Sequence, residues 1–135
     1  MAKYAAFGTQ LKRNGATIAQ LKTIGGPGLA LDTEDVTSHD SPGGWEEVVG
    51  TILRSGEVSL DLVFDPADAT HKNTSGGLIG DMISRTPHQY QLVLPTSPAT
   101  TWTFDALVTK FEPSADASGA LTASATLKVT GEPTL

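Results

Sequence analysis

The 135-residue chain contains no cysteine. Disulfides, thiolate metal sites and cysteine nucleophiles are therefore excluded, and the chain is compatible with a reducing cytoplasm. Aromatic residues are scarce, at 6%. Once Phe64, Trp102 and Phe104 are assigned to a core, few remain for the exposed platform that a carbohydrate-binding or decoration module would need. No apolar run approaches the ~20 residues of a membrane-spanning helix. The opening MAKYAAFGTQLKRNG has no apolar segment of the kind a signal peptide carries, so none is expected. Basic residues nearly vanish from the middle. Residues 32–68 hold ten acids against Arg54 alone, whereas residues 1–31 hold Lys3, Lys12, Arg13 and Lys22 and no acid. With five acids and four bases in the remainder, the net charge is −6. A nucleic-acid grip needs clustered lysine and arginine, and an acidic middle argues against one. The same middle suits a surface that phosphate slides past, and equally a solvated face that keeps the protein soluble.

What is present is glycine, proline, serine and threonine at turn positions, with short alternating segments between them. The length suits one domain, residues 1–135, with a real core. Thr9–Arg13 and Ala16–Ile24 read as two strands joined at Asn14-Gly15, a strong hairpin signal. GGPG at residues 25–28 breaks the chain, and LALDTED resumes as a strand. WEEVVGTILR is apolar enough to be buried but is ambiguous between strand and helical turn. EVSLDLVFD alternates cleanly, with Val58, Leu60, Leu62 and Phe64 on one face. One helix is expected at about residues 75–85, with Leu78, Ile79, Met82 and Ile83 as its stripe, Thr74 or Ser75 as its cap and Pro87 as its end. HQYQLVLP, TWTFDALVTKF and ALTASATLKVTG complete the set, the last two pairing as a hairpin. Six or seven strands and one helix predict a mainly β fold, an antiparallel sandwich or barrel with one short flanking α-helix.

The stretch DVTSHDSPGGWEEVVG, residues 35–50, crowds Asp35, His39, Asp40, Glu46 and Glu47 around a turn. It does not build a catalyst. The three histidines share no ligand spacing, and the four nitrogen or sulfur donors of a structural zinc site are missing. A calcium loop needs regularly spaced oxygens, which are absent too. Glu46 and Glu47 are adjacent, so on a strand they point to opposite faces. There is no G-x-S-x-G elbow, and the glycine-rich GGPG and SGG lack the lysine of a phosphate loop. No enzyme, metal or cofactor is expected. Trp45 reads either as an interface anchor or as a lid folded over the core.

Two long phrases carry a resemblance. GPGLALDTEDVTSHDSPGGWEEVVGTILRSGEVSLDLVFDP and TWTFDALVTKFEPSADASGALTASATLKVTGEP resemble the core and the closing hairpin of tail tube proteins, the major tail proteins of phages with long non-contractile tails. Residues 66–87 match more loosely. The resemblance implies a β-sandwich or barrel with one helix, a fold that is also that of the type VI secretion tube protein. It implies hexameric rings stacked head to tail around a tape-measure protein, with tail tip and terminator proteins at the ends. DNA passes through such a tube without specific binding. The place implied is the virion tail, assembled in the host cytoplasm with no membrane involved. In this family the long loop between early strands tends to bridge rings. By position that loop is at about residues 36–45, which makes Thr37, Ser38, His39, Asp40, Ser41, Pro42 and Trp45 stacking-contact candidates. Glu57 and Asp61, with Asp32 and Glu34 behind them, form the candidate acidic face of the bore.

Overall fold

Asn14-Gly15 forms the first turn. Both residues have positive φ, 49° and 86°, the geometry whose twist matches that of its flanking strands. The turn joins β1 (Gln10–Arg13) to β2 (Ala16–Thr17). The computed structural model, which describes residues 3–135, ends β2 there instead of continuing it to Ile24. Gln20 adopts a φ of 59° and turns the chain into β3 (Leu21–Gly25).

Among the described residues, two sheets form. β4 (Ala30–Asp35) and β5 (Val48–Arg54) pair only with each other. The larger sheet adds β6 (Glu57–Val63), β7 (His88–Leu94), β8 (Thr100–Ser114) and β9 (Thr122–Thr134). Its order is β2-β1-β7-β8-β9-β6-β3. Every pairing is antiparallel.

That order dictates the shape. β2 and β3 lie at opposite edges, yet only residues 18–20 separate them. Such a connection spans at most about 15 Å. Seven flat strands would hold their edges about 29 Å apart. The sheet therefore curls until its edges approach, giving a half-barrel. The expected mainly β architecture with one helix is what forms.

The core fills the inside of the curl. Val58, Leu60 and Leu62 of β6 face it, with Phe104, Ala106 and Val108 of β8 and Ala123, Ala125, Leu127 and Val129 of β9. This is the alternation read from the sequence. The three alanines leave room for Tyr90, Phe104 and the helix residue Leu78, the large-and-small mixture a tapered interior needs.

The helix α1 spans Leu78–Ser84. Neither Thr74 nor Ser75 caps it; Gly77 stands at the N-cap with no side-chain bond. Its glycines have a packing reason. A Cβ at Gly77 or Gly80 would overlap the carbonyl of Lys72 or Thr74 in the preceding loop. The stripe is rotated from the one expected. Leu78 is buried and Met82 packs on the core, but Ile83 is exposed and Asp81 is buried in its place.

Two polar clusters lock this end of the barrel. Asp81 accepts from Arg13 Nε and from the Tyr90 hydroxyl, each at 2.6 Å. Arg13 Nη2 also donates to His88 Nδ1 at 3.1 Å. Burial, and then the neighbouring Asp81 carboxylate, hold the Tyr90 phenol well above its usual range. His71 is fully buried. Its Nδ1 accepts from the Asp65 N–H at 3.2 Å, so its Nε2–H donates to the Ala19 carbonyl at 2.8 Å. The Ala19 N–H donates to Thr70 Oγ1 at 3.1 Å. Both backbone groups of Ala19 are thus held, on the short link that joins the two edges of the sheet.

Candidate assembly surfaces

The β4–β5 hairpin is where the sequence and the fold disagree most usefully. Its stretch VVGTILR reads as buried, yet all seven residues of β5 are exposed. Leu31, Val48, Val49, Ile52 and Leu53 are all open, with Leu53 at 81% and Ile52 at 56%. The register, shifted by a β-bulge between Leu31 and Thr33, places Leu31, Leu53 and Val48 on one face; Val49, opposite Glu34, and, by alternation from Arg54, Ile52 point to the other. Apolar side chains therefore stand on both faces of a two-stranded ribbon. A lone hairpin is marginal in water, and among the described residues this one packs closely on no other element.

Its root is fixed by close backbone contact. Gly56 has a φ of 68°, and a Cβ there would overlap the Gly28 carbonyl. The two chain segments of the root come into close contact at this point. The signal was present in the sequence: GGPG on one side and Ser55-Gly56 on the other bracket an apolar segment, marking it off from the body.

The tip holds the stacking candidates, and hydrogen bonds fold it. Thr37 is its clasp. The Thr37 N–H donates to Asp35 Oδ1 at 2.8 Å, and its Oγ1 accepts from the Glu47 N–H at 2.8 Å. These Thr37 bonds hold the Asp35 carboxyl below its ordinary range. The Ser38 N–H donates to Ser41 Oγ at 2.9 Å, and the Asp40 N–H to Ser38 Oγ at 3.3 Å. Pro42–Gly44 forms a short 3-10 turn whose Pro42 carbonyl accepts from the Trp45 N–H at 3.3 Å. Ser41 is buried within the tip, whereas Thr37, Ser38, His39, Asp40, Pro42 and Trp45 are exposed. Trp45 is 78% exposed, so it is no lid over the core.

The four candidate bore residues do not form one face. Glu57 and Asp61 lie on β6, pointing away from the core, while Asp32 and Glu34 belong to the separate hairpin. The charge of Asp32 is also paired. Arg54 donates to it from Nε and Nη2, each at 2.8 Å, and this lowers its pKa. The outer face of the large sheet is not acidic either. Cross-strand register sets Glu57 beside Lys128, and Asp61 between Thr23 and Ser124. Asp105 and Glu112 are offset by Lys12 and Lys110 on the same side. By register, Glu57, Asp61, Asp105 and Glu112 share this side with Lys12, Lys110 and Lys128, among many threonines and serines. The acidity read from residues 32–68 resides instead in the hairpin, whose tip carries Glu34, Asp35, Asp40, Glu46 and Glu47 and no base.

Among the described residues, no group of three or more histidine, aspartate or glutamate side chains is placed to hold a metal ion. What the geometry offers is a half-barrel with an uncovered apolar arm, the layout of a structural protein that assembles through its surfaces. The model of the phage tail tube protein family matches residues 14–135, and the chain belongs to that family. It is a component of the virion tail. No match was found among curated protein sequences. Solved structures share the fold. A chain in the virion of a native gene transfer agent particle matches with a TM-score of 0.79 and 19% identity over 97% of both chains. A chain of the tail of an empty gene transfer agent particle matches at 0.74 and 20%, over 93% of this chain and 92% of that one. A chain from the sheath/tube terminator of the PVC extracellular contractile injection system matches at 0.72 and 16%, over 99% and 96%.

Proposed function

We propose that the protein forms hexameric rings that stack head to tail into a hollow tube, with a tape-measure protein inside and tip and terminator proteins at the ends. The observation that carries this is the β4–β5 arm. A ribbon with apolar side chains on both faces, standing off its own barrel, needs covers that its own chain does not provide. Neighbouring copies supply them when the contact is heterologous, and such a contact propagates along an axis. The tip then meets the next ring through Thr37, Ser38, His39, Asp40, Pro42 and Trp45, with Ser41 bracing it from within.

Sixfold symmetry is the arrangement of the gene transfer agent tail whose subunit shares this fold. That fold is common to contractile injection systems as well. The non-contractile tail type therefore rests on the sequence phrases. In this reading the outer sheet face, with Glu57 and Asp61, lines the bore and lets DNA pass. Its hydroxyl-rich, nearly balanced surface would not cluster the lysines and arginines that phosphate binds. The protein does no chemistry of its own.

Negative-stain microscopy and light scattering of the concentrated protein, alone and with its tape-measure and initiator proteins, test the proposal. Rings and long hollow tubes are expected; a monomer under every assembly condition overturns it. Replacing Glu57 and Asp61 together by lysine should leave tails that assemble but deliver DNA poorly. Normal delivery would remove the bore assignment alone.

A further inference from the structure

The stacking reading leaves open which surface receives the arm. Two grooves are large enough. One, about 630 Å³, lies at the root of the arm itself, between Leu29, Leu31, Leu53 and Pro133. Its rim carries Glu132, and its cation Arg54 is already engaged by Asp32. An acidic tip would meet like charge there.

The other, about 600 Å³, is the seam of the half-barrel, where the curled sheet fails to close. β3 is its outermost strand on one side. On the other side β2 is only two residues long, and the chain before β1 forms the wall. Phe7, Ile18, Leu21 and Ile24 give the seam an apolar lining, Lys22 is its cation, and no acid lines it. Lys12 stands next to it, opposite Thr17 on β2. The nearest carboxylate is Asp61, across from Thr23 on the neighbouring strand; it lines an adjoining groove together with Lys22 but makes no ion pair with it. Two of the four bases of residues 1–31, Lys12 and Lys22, thus stand at the margin of an open slot. Arg13 is withdrawn from it into the buried Asp81 cluster.

We propose that this seam, on a second copy of the chain, is the socket for the hairpin tip, with Trp45 entering between Leu21 and Ile24 and Glu46 or Glu47 pairing with Lys22. The fit is one of kind as well as charge. The tip pairs an exposed indole with acids and no base; the seam pairs an apolar floor with lysines and no lining acid. An aromatic anchor seated in a pocket and rimmed by charge is the usual form of a strong contact. The socket and the arm lie on different surfaces, so each copy both gives and receives, and the contact runs on without closing.

Charge exchange tests it. Lys22→Glu should leave ring formation intact and raise the concentration needed for tube growth by tenfold or more. Glu46→Lys with Glu47→Lys should do the same, and combining all three substitutions should restore growth. The absence of cysteine allows a second, direct measurement. A Lys22→Cys, Glu46→Cys protein, oxidised after assembly, should give a ladder of covalent multimers, whereas Pro133→Cys, Glu46→Cys should not. Tube growth unaffected by Lys22→Glu, failure of the triple variant to recover, or a ladder from the Pro133 pair would each overturn the proposal. A wild-type protein that forms rings and tubes while these tests fail removes only the socket; one that forms neither removes the stacking reading beneath it.

Discussion

Replacing Ile52 and Leu53 together by serine should break assembly and leave the monomer standing. Both residues belong to β5, which makes no substantial packing with the barrel. Leu53 is 81% exposed and Ile52 56% exposed in the single chain. Fully burying such a side chain is worth about 1.5–3 kcal/mol. Scaled by the area still open, the pair can contribute about 2–4 kcal/mol to each contact that covers the arm. At 1.4 kcal/mol per tenfold, the critical concentration for assembly should rise roughly 30- to 1,000-fold. The monomer should respond weakly, because surface changes usually stay within about 0.5 kcal/mol. For a chain of this size that is a shift of about 2 °C in Tm. Leu60→Ala is the contrasting control. Leu60 sits in the core, and its truncation should cost about 2–5 kcal/mol, or roughly 7–18 °C. Sedimentation and microscopy read assembly, and calorimetry reads the monomer. A serine pair that assembles at the wild-type concentration would show that the arm is not the buried contact. A serine pair that melts many degrees lower would show that the arm packs on its own barrel.

The buried polar cluster makes a second prediction. Asp81→Ala leaves the Arg13 guanidinium and the Tyr90 hydroxyl without their shared partner, and should lower stability by about 3–5 kcal/mol, or roughly 10–18 °C in Tm. Tyr90→Phe removes one neutral donor and should cost only about 1 kcal/mol; equal losses in the two variants would argue against the ion pair as the dominant contact. A third prediction concerns acid. Bonds from the Thr70 hydroxyl and N–H hold the Asp68 carboxyl below the ordinary aspartate range. A lowered folded-state value means that this contribution is complete above about pH 4 and is lost as pH falls through the lowered value. Urea midpoints should therefore fall as pH drops below about 4, and Asp68→Asn should fall less steeply; an identical slope in the variant would exclude Asp68 as a source.

The strands that close the barrel were legible because one face of each is dry and the other wet. β6, β8 and β9 show that alternation directly, and their inward residues are the ones the sequence marks as core. The arm was misread for the opposite reason. In VVGTILR, apolarity reads as burial within the chain, whereas all seven residues are exposed in the single subunit. Hydrophobic pattern reports that a surface must be covered and does not say by whom. The misplaced acid face has the same root. Charge summed along the chain put residues 32–68 together, while the fold sends Asp32, Glu34, Glu46 and Glu47 to a separate hairpin and leaves Glu57 beside Lys128 and Asp61 between Thr23 and Ser124 on the large sheet. Asp81 and His71 were invisible for a third reason: each is buried by partners far away in sequence, 68 residues for Arg13 and 52 for Ala19. These three failures have one cause, that contacts across long separations are not written in local pattern. A tube subunit magnifies it, because the contacts that matter most to its work lie between copies.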